Sequence, residues 1–347
     1  MPSKIEKRLR ELAPIPGAPG YEKRVIERLK KNLTELADSQ KQDPMGNLYA
    51  WKEGQREGPV LMVAAHIDQI GGLVKYIRED GYLKIEKQGG LIDSQLPGRK
   101  VQVGEHFGVI GCRSGHFQAP EEKRKSPPLK ELYLDVGASS REEVKGMGIE
   151  IGTPFTLISP VETFTNEKLI CGGALDNRLG CAVLLEAMAQ LDSFAGRLVA
   201  TFTLQEEIGL RGAAAASIQV KPDLLLALDT IPAGDTPDFS PDENNVELGK
   251  GPVVPVLTGK GYQGLTSDPE LTGGLHKAAE RRGLSCQRTV YTKGNNDAAA
   301  VTLTGQAIPA ASLCVPRRYS HSPVEVAHLG DAEAAVEILV DLIEHLE

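Results

Sequence analysis

A chain of 347 residues, 41% hydrophobic and 25% charged, has the composition of an ordinary globular protein and is long enough for one large domain or two smaller ones. Its 39 Lys and Arg against 47 Asp and Glu leave a net charge of -8, which argues against nucleic acid as a partner. No apolar stretch approaches the roughly 18 residues of a membrane span, and five scattered cysteines without a C-x-x-C pair exclude a disulfide framework or a zinc knuckle.

The N-terminal "MPSKIEKRLRELAP" sets Ile5, Leu9 and Leu12 among charges without the continuous apolar core of a signal peptide. A cytoplasmic protein is therefore expected. "EKRVIERLKKNLTELA" follows with Val25, Ile26, Leu29, Leu33 and Leu36 at helical spacing. From about 70 to 162 the pattern changes to short strands punctuated by glycine ("GGLVKYI", "YLKIEK", "KVQVG", "FGVIG") with almost no helical periodicity. This predicts an all-β domain inserted into an α/β one. "NRLGCAVLLEAMAQL" (177–191) places Leu179, Val183, Leu184, Ala187, Met188 and Leu191 on one helical face. The runs "PVLMVAA" (59–65), "RLVATFTLQ" (197–205), "LLLAL" (224–228) and "AIPAASLCV" (307–315) suit buried, mainly parallel strands. Residues 331–346 form a final predicted helix with Asp331 as its N-cap.

The ionisable residues of interest fall where these strands and loops end. "MVAAHIDQIGG" runs from an apolar strand into His66 and Asp68, and "GALDNR" puts Asp176 just before a helix. "LQEEIG" and "LALDT" end in Glu206, Glu207 and Asp229, and "PRRYSHSPVE" adds His321 beyond the last strand. Ligands in open α/β sheets bind at the carboxyl ends of strands, so residues far apart in sequence can meet there. Taken singly, a histidine at a strand end is commonly structural and an aspartate before a helix is commonly a cap. Five such sites together point instead to imidazole and carboxylate ligands for Zn²⁺, Co²⁺ or Mn²⁺. The H-x-D spacing would let the Asp68 carboxylate fix the His66 tautomer.

The segments "AHIDQIG", "GGALDNRLG", "QEEIGLRGA", "LALDT" and "RRYSHSPVE" resemble, in order, the metal-site motifs of the M42 family of dinuclear metallo-aminopeptidases, the glutamyl and tetrahedral (TET) aminopeptidases. The resemblance covers nearly the whole chain. It implies a three-layer α/β/α catalytic domain with a mainly parallel sheet, formed by residues 1–69 and 163–347, and an inserted β-rich, barrel-like oligomerisation domain at 70–162. It also implies two divalent metal ions per subunit, zinc first and cobalt or manganese as alternatives. Asp176 would bridge them, His66 and Asp229 completing one site and Glu207 and His321 the other. Glu206 would be the general base, Asp68 would join it as a catalytic residue, and the peptide between Asp176 and Asn177 would be cis. Short peptides are the implied substrates, no membrane or nucleic acid is implied, and the implied assembly is a tetrahedral dodecamer built from dimers.

The charge arithmetic agrees: two divalent cations bring about +4, three ligand carboxylates and one hydroxide remove four, and a near-neutral cluster tolerates burial. Two positions depart from the family pattern. Gln69 stands where glutamate is usual, and "GNNDA" (294–298) replaces a "GTDA"-like segment, so both bear on the surroundings of the pocket near Asp297. Other signals carry little. "GKGYQG" (259–264) lacks the strand-to-helix context of a dinucleotide fingerprint, His106, His116, His276, His328 and His345 are expected to be structural or exposed, and no G-x-S-x-G appears. A deacylase or amidase on the same metal platform, and a non-catalytic metal-binding scaffold, are the rival readings. Preference for N-acyl amino acids would mark the first, and an unliganded Glu206 argues against the second.

Overall fold

The computed structural model describes residues 2–259, 264–301, 304 and 307–346, so four residues of "GKGYQG", Lys260 to Gln263, lie outside the described residues. Two amphipathic helices open the chain, α1 (Lys4–Leu12) and α2 (Lys23–Leu33), burying Ile5, Leu9 and Leu12 from the first and Val25, Ile26, Leu29 and Leu33 from the second. Strands β1 (Ser39–Gln42), β2 (Leu48–Glu53) and β3 (Arg56–His66) follow. The chain then forms β4 (Gly71–Ile77), β5 (Leu83–Gln88), β6 (Lys100–Val103), β7 (His106–Gly111), β8 (Tyr133–Asp135), the short helix α3 (Arg141–Gly146) and β9 (Pro154–Leu157). It continues through β10 (Glu162–Thr163), β11 (Leu169–Gly172), α4 (Leu175–Gln190), β12 (Ala195–Thr203), α5 (Arg211–Val220) and β13 (Leu224–Pro232). The last elements are β14 (Val253–Thr258), β15 (Leu265–Thr266), α6 (Pro269–Arg282), β16 (Gln287–Tyr291), α7 (Asp297–Val301), β17 (Ala310–Arg318), β18 (Glu325–His328) and α8 (Leu329–Glu344).

Strands β4 to β9 close into a barrel in the order β4-β5-β8-β7-β6-β9. The barrel buries its own apolar cluster, including Val74, Leu83, Val101, Ile110, Leu134 and Phe155. At roughly 1.5 to 3 kcal/mol for each such side chain, this cluster stabilises the barrel independently of the other layer. The remaining strands form one sheet in the order β1-β2-β12-β3-β13-β17-β18-β11-β10, with β14 joined to β17 and carrying β15 and β16. Its centre, β12-β3-β13-β17, is parallel throughout, and these are the four apolar runs visible in the sequence. The strands flanking that block pair antiparallel.

Alternation along the strands makes three layers. Leu61, Val63 and Ala65 of β3 join one apolar cluster, while Met62 and Ala64 join a second on the opposite face. Successive side chains of a strand point to opposite faces, so each central strand feeds both. The first cluster packs α1, α4, α6 and α8; the second includes Ala216 of α5 and Ala298 of α7.

Two helices differ from expectation. The α4 helix is buried from Leu175 to Met188 around its whole circumference, because the sheet lies on one side and α1 and α8 on the other; an all-round apolar helix is the pattern of a core element. Asp331 does not cap α8, which begins at Leu329. Its carboxylate instead accepts the N–H groups of Gly249 and Gly251 at 2.7 and 2.8 Å, tying down the loop before β14. Among the described residues no helix is long and apolar enough to cross a membrane.

Candidate metal centre

The parallel strands deliver the site. His66 is the last residue of β3 and pairs in register with Thr203, the last of β12. Asp229 lies toward the carboxyl end of β13, opposite Cys314 of β17, and His321 lies three residues beyond the end of β17. Gln205 adopts a left-handed backbone, φ +56°, just past β12. That breaks the alternation which would send Glu206 and Glu207 to opposite faces of an extended strand. Both side chains consequently line one cavity of about 1030 Å³ together with His66, Asp176, Asp229 and His321.

Within it the donors form two groups, His66–Glu206–Asp229 and Asp176–Glu207–His321, each with its ligating atoms within 4.8 Å of one another. Asp176 faces both. Its Oδ1 lies 3.3 Å from His66 Nε2, which is itself 3.5 Å from Asp229 Oδ1. Its Oδ2 lies 3.4 Å from His321 Nε2, which is 3.6 Å from Glu207 Oε2. Glu206 Oε2 is 3.9 Å from His66 Nε2. The Asp176–Asn177 peptide is cis.

Asp68 is fully buried, but its carboxylate does not bond the His66 ring. The Asp68 carbonyl lies 3.2 Å from His66 Nδ1, whereas its carboxylate oxygen is 3.7 Å away. The carboxylate is engaged elsewhere, accepting the backbone N–H of Glu206 at 3.0 Å and of Glu207 at 3.1 Å. Gln69 faces the buried Arg178, whose Nη2 is 3.5 Å from Gln69 Oε1 and whose Nη1 donates to the Leu12 carbonyl. Neither Gln69 nor Arg178 is in the two donor groups.

Several contributors carry no signature in sequence spacing. Arg317 donates through Nη2 to Asp176 Oδ2 and through Nε to Glu325 Oε1. Glu325 also accepts the backbone N–H of Asp176 at 3.0 Å and of His321 at 3.1 Å. Thr230 donates its hydroxyl to Asp176 Oδ1 at 3.0 Å, and the Thr203 hydroxyl donates to Asp297. The turn after β5 closes over the second group: a Cβ on Gly90 would lie 2.1 Å from His321 Nδ1, and one on Gly89 would lie 3.2 Å from Glu207 Cβ. Among the described residues, His106, His276, His328 and His345 join neither donor group.

The electrostatics show a shortage of positive charge. Burial pushes Glu207 up to about 8 against the pull of His321. Burial raises Glu206 well above the carboxylate range, opposed by His66 and reinforced by Asp229, Glu207 and Asp297. Asp297 reaches about 7 for the same first reason. Burial alone would lower His66, yet Glu206, Asp176 and Asp229 hold it well above its ordinary value. Burial would raise Asp176, but Arg317, His321 and His66 keep it well below. Glu207 Oε1 and Asp297 Oδ1 are buried with no hydrogen-bond partner. Buried carboxylates in such number stay ionised only with more positive charge than the protein itself supplies. Divalent cations bound by imidazole and carboxylate fit that deficit.

Comparison with known proteins identifies relatives of the whole chain. The model of the M42 glutamyl aminopeptidase family matches residues 46–338. The chain is 32% identical over 347 residues to the lysyl aminopeptidase of Pyrococcus furiosus, covering 98% of this chain and 96% of the relative. An aminopeptidase structure from the archaeon Desulfurococcus kamchatkensis superposes with a TM-score of 0.94 at 31% identity, covering 99% of this chain and 95% of that one. The TET1 peptidase of Pyrococcus horikoshii, which can assemble into a tetrahedron or a large octahedral shell, superposes with a TM-score of 0.88 at 31% identity, covering 99% and 100%. The chain belongs to the M42 glutamyl aminopeptidase family and is, with that family, an aminopeptidase and so a hydrolase.

Proposed function

We propose that the protein is a two-metal aminopeptidase that removes N-terminal residues from short peptides, with Glu206 as general base. The observation that carries this reading is the placement of the two oxygens of Asp176 toward two separate donor groups. His66 and Asp229 would hold one cation, Glu207 and His321 the other, and Asp176 both; zinc suits the donors first, cobalt and manganese next. When bound, the cations supply Lewis acidity that polarises the scissile carbonyl and acidifies water. The carboxylate of Glu206 takes the proton of the attacking water, becoming a neutral acid, and returns it to the leaving amine. Asp68 acts as a positioning residue, holding the backbone of both glutamates.

Changing Glu206→Gln is expected to leave metal content normal and lower turnover by about 10²- to 10⁴-fold. Retained activity would refute the base assignment, and lost metal would make Glu206 a ligand, in keeping with its nearness to His66 and Asp229.

The same reading extends to organisation. The barrel, closed within residues 71–157, supports residues 70–162 as an inserted oligomerisation domain within a catalytic domain of 1–69 and 163–347. Tyr76, Phe107, Phe117 and Ile151 of this segment are exposed, and apolar surface of that kind favours association. With the assembly of the P. horikoshii relative, this supports a homo-oligomer, and specifically a tetrahedral dodecamer of dimers, testable by sedimentation. All five cysteines are free thiols, which supports a reducing, cytoplasmic location.

A further inference from the structure

We propose that Arg317 competes with the cation held by Asp176, Glu207 and His321, making this the weaker of the two metal sites. The inference rests on the two-cation reading above. The two oxygens of Asp176 have unlike neighbours. Oδ1 accepts a hydrogen bond from the neutral Thr230 hydroxyl at 3.0 Å on the His66 side. Oδ2 accepts one from the guanidinium of Arg317 on the His321 side. A cation sharing Oδ1 meets no bonded guanidinium, while a cation sharing Oδ2 does.

Arg317 is held in place. It projects from β17 with its side chain 3% exposed, and its Nε donates to Glu325 Oε1 at 2.9 Å. Glu325 is anchored in turn by the backbone N–H groups of Asp176 and His321. The arginine is thereby fastened to two of the three segments that carry the second donor group, those of Asp176 and His321. Its Nη1 is buried without a hydrogen-bond partner, so Asp176 and Glu325 are its two hydrogen-bonded carboxylates. A second cation either displaces the guanidinium from Oδ2 or shares the oxygen with it. Displacement leaves a buried charge with one partner instead of two, and sharing sets like charges together where water is excluded. Both lower affinity at the His321 site and spare the His66 site. In the cation-free chain the guanidinium serves as a stand-in, paired with Asp176.

The test is calorimetric titration of the metal-free full chain with Zn²⁺, with bound metal counted by mass spectrometry. Three proteins are compared: wild type, Arg317→Met, and the double variant Arg317→Met/Glu325→Gln, which leaves neither buried charge alone. In wild type the two dissociation constants should differ by about tenfold or more; in both variants the weaker should tighten by about tenfold and the tighter move by no more than about threefold. A wild type that takes one cation while the variants take two supports the proposal in its strongest form. Equal constants in wild type, or an unchanged weak constant in the variants, overturn it. Fewer than two cations in all three proteins overturns the two-cation reading itself. Should Arg317→Met fail to fold, the double variant decides between the same outcomes.

Discussion

His66 and His321 stand on different foundations. His66 ends a strand with parallel neighbours on both sides and its side chain is 2% exposed. His321 sits beyond the sheet in a left-handed conformation, φ +57°, with its side chain 30% exposed. It is held from one side by Glu325 and covered from another by Gly90. One half of the site thus follows from building a parallel sheet, and the other depends on three segments arriving together.

The most severe way to break the contrast is to remove what the halves share. Asp176→Asn should weaken both cations together and lower kcat/KM on the order of 10³-fold, the equivalent of several kcal/mol of lost electrostatic stabilisation. If one cation keeps its affinity by titration, Asp176 is not shared. A milder change sharpens the contrast instead. Gly90→Ala would drive a methyl group against the His321 ring, weakening the second cation by about 10- to 100-fold and leaving the first unaltered. Equal losses at both sites would mean that the halves are mechanically one.

The smallest effect is on stability without metal. Burial would lower His321, yet Asp176 and Glu207 raise it from 6.5 to about 9. Its protonated form is favoured by the fold, so its contribution is complete below 6.5 and disappears as pH rises through about 9. Glu207, raised from 4.5 to about 8 chiefly by burial, acts in the same direction, since its neutral form is favoured. The metal-free chain should therefore lose on the order of a few °C in Tm between about pH 6.5 and 9. Saturating zinc should flatten that slope, because ligands held by metal are already deprotonated. A Tm that rises with pH in the metal-free chain would reverse the assignment.

The same contrast explains what the sequence made legible. Apolar runs ending in His66, Glu206–Glu207 and Asp229 were visible because buried parallel strands need continuous apolar residues and deliver polar ones at their ends. The barrel was visible as a loss of helical periodicity. Asp331 escapes a local reading because an aspartate near a helix start is ambiguous until the loop it binds, 80 residues away, is placed. The Asp68 carboxylate went to two backbone amides 138 and 139 residues distant rather than to its near neighbour. Arg317 and Gly90 act through contacts that no local pattern encodes.

The covering turn also limits how freely the molecule could be recombined. Gly90 belongs to the connection after a barrel strand, while the imidazole that it backs follows the last parallel strand of the sheet. Exchanging barrels between relatives is therefore not a modular operation. A transplanted barrel must bring a turn without side chains to the same place, within van der Waals contact of a ring encoded some 230 residues further along.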